Sequence, residues 1–527
     1  SLFAKDQKVL LHGVTGSGKT EIYIHLIEKQ LKKNKKVLYL LPEIAITTQI
    51  IQRLQSYFGK KVGVYHSRFN ISERTELWYA MMDEKLHKYD IILGARSSVF
   101  LPFKNLGLII VDEEHESSYK QFDPSPRYHA RDVASKLSQM YQANLLLGSA
   151  TPSMEMMHLV KEKKIGYVVL DKRFHEIPMP EIQCADLKQA YKKRKMVGIF
   201  TPLLLENIQT TLKANKQVIL FQNRRGYAPR EMCMVCSWTP TCKKCDVSLT
   251  IHKYQPILKC HYCGYSTKQI EHCAACGSPE ITMLGIGTQK IEEELIKYLG
   301  DGIKIKRMDW DTTRKKASFQ NIIDQFEQKE IDILVGTQMV SKGLDFDHVG
   351  LVGVLQADDL LHYPDFRAYE RCFQLLTQVS GRSGRKNERG KVILQTFDPY
   401  HWVIKKVMEY DFKSLYKQEL ADRKHFKYPP YFKLIKLVLI HKSSSYLIVG
   451  ANNLAIELKK RLGERVLGPE FTIIPRINNY YNQQILIKVE HTLSLSKVKD
   501  FIQLTINRWS KKEGSKSIRV KLDVDPM

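Results

Sequence analysis

At 527 residues the chain is too long for one hydrophobic core, and its 43% apolar and 26% charged content fits folded rather than disordered protein. Eighty-two Lys and Arg against 56 Asp and Glu leave a net charge of +26, which points to a polyanionic partner, nucleic acid first. No apolar run approaches the ~18 residues of a bilayer span, and residues 1–8 lack a signal peptide's apolar stretch, so no membrane partner is expected.

Short β-rich runs alternate with helix-length segments through the first third. Segments 9–11, 37–41, 62–65, 91–93, 108–111 and 145–147 read as buried parallel strands, with helices over 21–33 and 43–58 among the connections. That predicts an α/β lobe over residues 1–180. Its first strand runs into Gly13-Val14-Thr15-Gly16-Ser17-Gly18-Lys19-Thr20, which fits G-x-x-x-x-G-K-[ST]. In such a loop, glycines let backbone N–H groups close around phosphates, Lys19 reaches the β and γ phosphates of ATP, and the Thr20 hydroxyl can ligate Mg²⁺.

The strand over 108–111 delivers Asp112-Glu113-Glu114-His115 to the sheet's C-terminal edge, where α/β sheets bind ligands. An acidic cluster there is often only a helix cap, but the phosphate loop upstream favours a site. Asp112 would then hold the Mg²⁺ shell and Glu113 would orient or deprotonate the attacking water. Between this cluster and Gly148-Ser149-Ala150-Thr151-Pro152-Ser153 lies a stiff stretch with Tyr119, Phe122, Arg127, Tyr128 and His129. Its aromatic rings either pack under their own loop or offer faces on which bases stack, at roughly 1–3 kcal/mol each. Arg96, near a strand end in Gly94-Ala95-Arg96-Ser97-Ser98, suits a phosphate contact that carries no base information.

A second α/β pattern starts at 181 and occupies 181–232 and 281–421. It ends in Gln378-Val379-Ser380-Gly381-Arg382-Ser383-Gly384-Arg385, whose two arginines after a predicted helix could point their forks at a γ-phosphate on the facing lobe. Four C-x-x-C pairs interrupt this lobe over 233–280: Cys233/Cys236, Cys242/Cys245, Cys260/Cys263 and Cys273/Cys276. Eight thiolates make two Cys₄ tetrahedra, hence two structural Zn²⁺ and a reducing, cytoplasmic setting. Spacing leaves the pairing open, although 14 residues between the inner pairs is a good zinc-ribbon distance. Cys184 and Cys372 stand alone and read as packed thiols.

The phosphate loop, D-E-E-H, S-A-T and Q-V-S-G-R-S-G-R in this order, with eight cysteines inside lobe two, resemble the PriA-type primosomal replication-restart helicases (primosomal protein N′) of superfamily 2. The resemblance continues through Tyr428-Pro429-Pro430-Tyr431 to Asp523-Val524-Asp525-Pro526, so 422–527 is expected to be a small α/β DNA- and partner-binding domain. It implies two RecA-like lobes, S-A-T coupling of hydrolysis to movement, catalysis by Lys19, Asp112, Glu113, Gln378, Arg382 and Arg385, and DNA contacts at Arg224, Arg225 and Lys342. It further implies ATP-driven 3′→5′ unwinding at forks and D-loops, nested zinc pairing, and partnership with single-stranded-DNA-binding protein, primosome proteins and the loader of the replicative helicase. Family members carry domains upstream of the phosphate loop, which here begins at residue 13, so a truncated chain with weaker fork selectivity and looser adenine discrimination is expected. Two rivals remain: a duplex translocase that does not separate strands, and a DNA-binding scaffold with a vestigial ATPase.

Overall fold

The computed structural model describes residues 3, 5–42, 48–66, 70–83, 88–173, 176–222, 230–233, 238, 240, 249–252, 257–259, 265–284, 288–300, 302–309, 312, 316–340, 346–361, 365–384 and 389–527. The chain divides into two compact units, Ser1–Asn223 with Thr288–Leu420, and Arg224–Gly287 with Ala421–Met527.

The first unit is built on two parallel sheets. Seven strands make the first, in the order Val62–Tyr65, Ile91–Gly94, Lys36–Leu40, Leu106–Asp112, Asn144–Ser149, Lys8–Gly13 and Gly166–Leu170. Its central strands read as continuous apolar runs because helices cover both faces. The two-residue period of a strand sorts their side chains: Leu10, Ile109 and Val111 enter one core, while Val9, Leu11, Leu108 and Ile110 enter the other. All six expected strands are present. The seventh, Gly166–Leu170, lies at the sheet edge and alternates between exposed and half-buried residues, although its sequence carries the apolar run Tyr167-Val168-Val169-Leu170.

Register explains how a site gathers at one edge of this sheet. Leu106–Asp112 pairs with Asn144–Ser149, placing Asp112 opposite Gly148; Lys8–Gly13 pairs with the same strand, placing His12 opposite Ser149. Three adjacent strands therefore present the acidic cluster, the S-A-T turn and the phosphate loop side by side. The second sheet has six parallel strands, in the order Ile305–Met308, Ile333–Gly336, Gln217–Phe221, Val349–Val354, Lys391–Thr396 and Glu181–Asp186. Helix Ala368–Ser380 lies between two of its strands in sequence.

In the second unit a four-stranded antiparallel sheet runs in the order Val466–Ile477, Tyr480–Glu490, Phe432–His441 and Arg519–Val524. Helices Ser444–Leu462 and Leu495–Trp509 close its core, where Trp509 donates its indole N–H to the Gly450 carbonyl at 3.1 Å. The cysteine-bearing segment supplies a two-stranded ribbon, Arg230–Cys233 with Ile281–Leu284, and a three-stranded one formed by Thr250–His252, Ile257–Lys259 and Ser266–Lys268.

Candidate nucleotide cleft and cysteine cluster

The phosphate loop leaves strand Lys8–Gly13 and enters helix Lys19–Leu31 through Gly18, whose φ of 84° only glycine adopts without strain. Gly16 has φ 79°, and a Cβ on Gly13 would sit 2.6 Å from Ser17 Oγ and 3.0 Å from Lys19 Cγ. Lys19 Nζ donates to the Gly13 carbonyl at 2.7 Å, arching back over the loop. Ser17 Oγ is buried without a hydrogen-bond partner among the described residues. A cradle of backbone N–H groups, a cation above it and an orphan hydroxyl inside it fit a bound phosphate chain.

Asp112 ends its strand under this loop. It accepts from the Tyr23 hydroxyl at 2.9 Å, from the Glu113 N–H at 3.1 Å and from the Tyr39 hydroxyl at 3.4 Å. Burial, and then the Glu113 charge, push the Asp112 carboxyl up to about 6, against the pull of Lys19. A buried carboxylate so disfavoured without a cation suits Mg²⁺ ligation. Glu113 takes a left-handed backbone, φ 48°, which turns its side chain out of the strand direction.

Lobe two closes the site. Gln378, in the last turn of helix Ala368–Ser380, donates from Nε2 to Glu113 Oε2 at 3.3 Å and to His115 Nε2 at 2.8 Å. His115 Nδ1 therefore carries the proton and donates to Ser149 Oγ at 2.7 Å. Arg382 follows that helix in a buried turn; burial pulls it down to about 10, with the Glu113 charge opposing. A Cβ on Gly381 would stand 2.9 Å from Thr15, so glycine lets this turn lie against the phosphate loop. Arg173 ties the two lobes, donating to the Thr15 carbonyl at 3.1 Å and to the Gly384 carbonyl at 2.9 Å.

The aromatic stretch divides into buried and open parts. Tyr119 corrects the sequence reading: it is fully buried, and its hydroxyl meets the Asp112 carbonyl at 2.6 Å and that of Leu40 at 3.1 Å. Its ring packs in the lobe-one core because its hydroxyl finds partners where two strands end, and no face is left for a base. His129 is a second correction, since it is buried and caps helix Ala130–Tyr141, accepting from the Arg131 N–H at 3.2 Å. Phe122 is exposed, and Tyr128 packs edge-on against Phe100 at 4.7 Å, half-buried beside Arg96. Arg127 is half-buried on the same stretch, and Arg96 donates to the Lys120 carbonyl at 2.8 Å.

In the cysteine-bearing segment, the sulfurs of Cys233, Cys273 and Cys276 all lie within 4.8 Å of one another, with Cys233 and Cys276 at 3.6 Å. Tetrahedral zinc with bonds of ~2.3 Å needs sulfurs about 3.8 Å apart, so the trio fits. Gly277, φ 76°, turns the chain directly after Cys276 and donates its N–H to the Cys273 carbonyl at 2.9 Å. Cys233 of the first C-x-x-C pair thus meets both cysteines of the last pair. Cys236, Cys242, Cys245, Cys260, Cys263, Arg224, Arg225, Lys342 and Arg385 lie outside the described residues.

Four families match in order: the DEAD/DEAH box helicase over residues 1–159, the PriA DNA helicase Cys-rich region (CRR) domain over 242–268, the helicase conserved C-terminal domain over 267–387, and the primosomal protein N C-terminal domain over 424–527. The replication restart protein PriA of Chlamydia muridarum is 38% identical over 99% of this chain and 69% of its own length. The chain belongs to the PriA replication-restart family. Its PriA relatives from Bacillus subtilis (40% identical, 100% of this chain) and Synechocystis (40%, 99%) are covered over 65% and 62% of their lengths, less than two thirds. Among solved structures, the DUF1998 helicase MrfA bound to DNA superposes over 78% of this chain and 49% of its own, with a TM-score of 0.48 and 15% identity.

In this PriA-family chain the cleft brings together Lys19, the adjacent pair Asp112 and Glu113, and Gln378 with Arg382, from three separated places in the sequence. Two participants escaped the sequence reading. Arg173 sits in an ordinary-looking connection, and Glu114 was passed over as part of an acidic run. Glu114 is fully buried, accepting from Arg131 at 2.7 Å, from the Ser153 N–H at 2.7 Å and from Ser153 Oγ at 2.9 Å. The signal for Glu114 was available: a third carboxylate at the end of a buried strand needs a buried cation.

Proposed function

We propose that this chain is the motor of an ATP-dependent DNA helicase of replication restart, unwinding 3′→5′ at stalled or repaired forks and D-loops and starting primosome assembly to reload the replicative helicase. The observation that carries the reading is Gln378 of lobe two hydrogen-bonded to Glu113 and His115 of lobe one, with buried Arg382 beside the phosphate loop. Mg²⁺ bound with ATP supplies charge neutralisation on the phosphates, and Thr20 with Asp112 would hold it. Lys19 leaves the Gly13 carbonyl to grip the β and γ phosphates. Glu113, held by Gln378, orients the attacking water and accepts its proton. Arg382 and Arg385 offset the charge that develops on the leaving phosphate.

Cleavage removes the group that both lobes contact, so the cleft opens, and two grips on one strand convert opening into a step. Phe122 and Tyr128 offer stacking faces for that strand, and Arg96, Arg127, Arg224, Arg225 and Lys342 offer phosphate contacts. Two Zn²⁺ hold the insertion, one on Cys233, Cys236, Cys273 and Cys276 and one on Cys242, Cys245, Cys260 and Cys263. The C-terminal domain binds branched DNA and single-stranded-DNA-binding protein, with primosome proteins and the helicase loader as further partners, in the cytoplasm. Strand displacement on a duplex with a 3′ tail tests the reading. Displacement lost in Lys19→Ala supports it; ATP turnover on intact duplex without displacement supports the translocase, and full displacement by Lys19→Ala supports the scaffold.

A further inference from the structure

Arg367, Glu370, Gln374 and Gln378 follow a three-to-four-residue spacing, which puts them on one face at the start and along helix Ala368–Ser380. Each is less than a tenth exposed, and each reaches lobe one. Arg367 donates to Glu155 at 3.2 Å, and Gln374 donates to the Thr151 carbonyl at 3.3 Å. Glu370 Oε1 accepts from the Met154 backbone N–H at 3.0 Å and from Gln374 Nε2 at 3.2 Å. Gln378 completes the stripe at Glu113.

Met154 opens helix Met154–Lys161, directly after the S-A-T turn. The first N–H groups of a helix have no partner within it and need acceptors from elsewhere. Ser153 Oγ accepts from the Met156 N–H, and Glu114 of lobe one accepts from the Ser153 N–H. The Met154 N–H goes to lobe two. One helix N-terminus is therefore capped by carboxylates from both lobes, one of them adjacent in sequence to Glu113.

We propose that Glu370 is a positioning residue whose cross-lobe cap ties cleft closure to the S-A-T turn, without touching nucleotide or DNA. The inference rests on the motor reading above. The cap exists only with the lobes together, so it favours the closed state in which Gln378 and Arg382 meet the site. Opening the cleft breaks the cap and returns the Met154 N–H and the Glu370 carboxylate to water together.

Glu370→Ala and Glu370→Gln, zinc-loaded and compared with the unaltered chain in the presence of single-stranded DNA, test this. A glutamine oxygen can still accept from Met154 and Gln374, whereas alanine cannot. Glu370→Ala is expected to lower DNA-stimulated kcat about tenfold while leaving KM for ATP within about threefold, because the phosphate loop lies wholly on lobe one. Glu370→Gln is expected to recover kcat to within about threefold of the unaltered chain. An unaltered kcat in Glu370→Ala, or a loss that glutamine does not recover, overturns the proposal. Gln374→Met, of similar volume, removes the neighbouring donor and is expected to lower kcat about threefold; full activity there counts against the stripe.

Hydrogen exchange gives a readout that needs no turnover. The Met154 amide should exchange about tenfold faster in Glu370→Ala and at the unaltered rate in Glu370→Gln. Equal protection in all three overturns the cap. An unaltered chain that ignores DNA, but whose Met154 amide responds to Glu370→Ala, counts against the motor reading and leaves the cap standing.

Discussion

Gln378 of the second lobe sits 2.8 Å from His115 of the first, with its amide proton directed at a ring nitrogen that has none. The same amide donates to Glu113, so one side chain satisfies two groups of the opposite lobe. Gln378→Ala leaves both without a donor and loosens Glu113 where a water must be aligned. A hydrogen bond to a charged group contributes about 1.5–3 kcal/mol, so kcat for ATP should fall roughly 10- to 100-fold. Steady-state phosphate release at saturating ATP measures it.

Glu114 lies one residue from Glu113 but does different work. Its carboxylate is fully buried against Arg131, which is itself buried. Glu114→Ala strands that guanidinium, and breaking a buried pair from one side costs about 3–5 kcal/mol. Urea unfolding should show the loss as a lower midpoint. Glu28→Ala, which breaks only the exposed pair with Lys32, should leave the midpoint where it was.

His12 makes stability sensitive to acid. Its Nε2 faces the Ala150 carbonyl at 3.2 Å, so that nitrogen carries the proton and Nδ1 accepts from the Tyr167 hydroxyl at 2.8 Å. The ring packs against Phe412 at 5.1 Å, and burial, with Lys19 adding to it, lowers its pKa to about 4. The unfolded chain, titrating near 6.5, binds the proton more readily than the folded one. Stability is therefore unaffected above that value and falls as pH drops from about 6.5 towards 4. Between pH 7 and pH 5 the contribution is about 2 kcal/mol. His12→Asn keeps a donor and an acceptor but does not titrate, so its stability difference between these two pH values should shrink by that amount.

Tyr119 and Phe122, three residues apart, should separate folding from DNA binding. Tyr119→Phe removes the hydroxyl that serves the Asp112 and Leu40 carbonyls and should lower stability by about 1 kcal/mol. Phe122→Ala should leave stability unchanged and weaken single-stranded DNA binding by about 1–3 kcal/mol. Denaturation and fluorescence anisotropy with a labelled oligonucleotide distinguish the two outcomes.

Zinc should be countable. Metal analysis of the purified chain is expected to give two Zn²⁺ per molecule, falling to one in Cys273→Ser because its cluster with Cys233 and Cys276 loses a ligand. An unchanged count in the variant would contradict that assignment.

Much of the nucleotide cleft could be read from sequence because its parts are contiguous. A phosphate loop needs glycines and a lysine at fixed offsets, and a buried strand announces itself as an unbroken apolar run, as at 108–111. Edge strand Gly166–Leu170 carries a similar run, Tyr167 to Leu170, yet its residues alternate between exposed and half-buried, so an apolar run alone does not tell an edge strand from a central one. The stacking role expected of Tyr119 failed for a related reason: an aromatic ring beside basic residues looks the same in sequence whether it faces solvent or a strand end. Cross-lobe partners were the least legible. Nothing near Glu370 or Arg173 in the chain hints that the donor of the one and the acceptor of the other lie 216 and 211 residues away, at Met154 and Gly384. Only the folded register brings those atoms together.

Phosphate release by the zinc-loaded chain at saturating ATP, with and without single-stranded DNA, reaches the core of the account. A strand held across both lobes should favour the state in which Gln378 meets Glu113 and the turn at Gly381 and Arg382 lies against the phosphate loop, so turnover should rise at least about tenfold with DNA and vanish in Lys19→Ala. Turnover that is identical with and without DNA, or that survives Lys19→Ala, would contradict a cleft whose chemistry drives a bound strand.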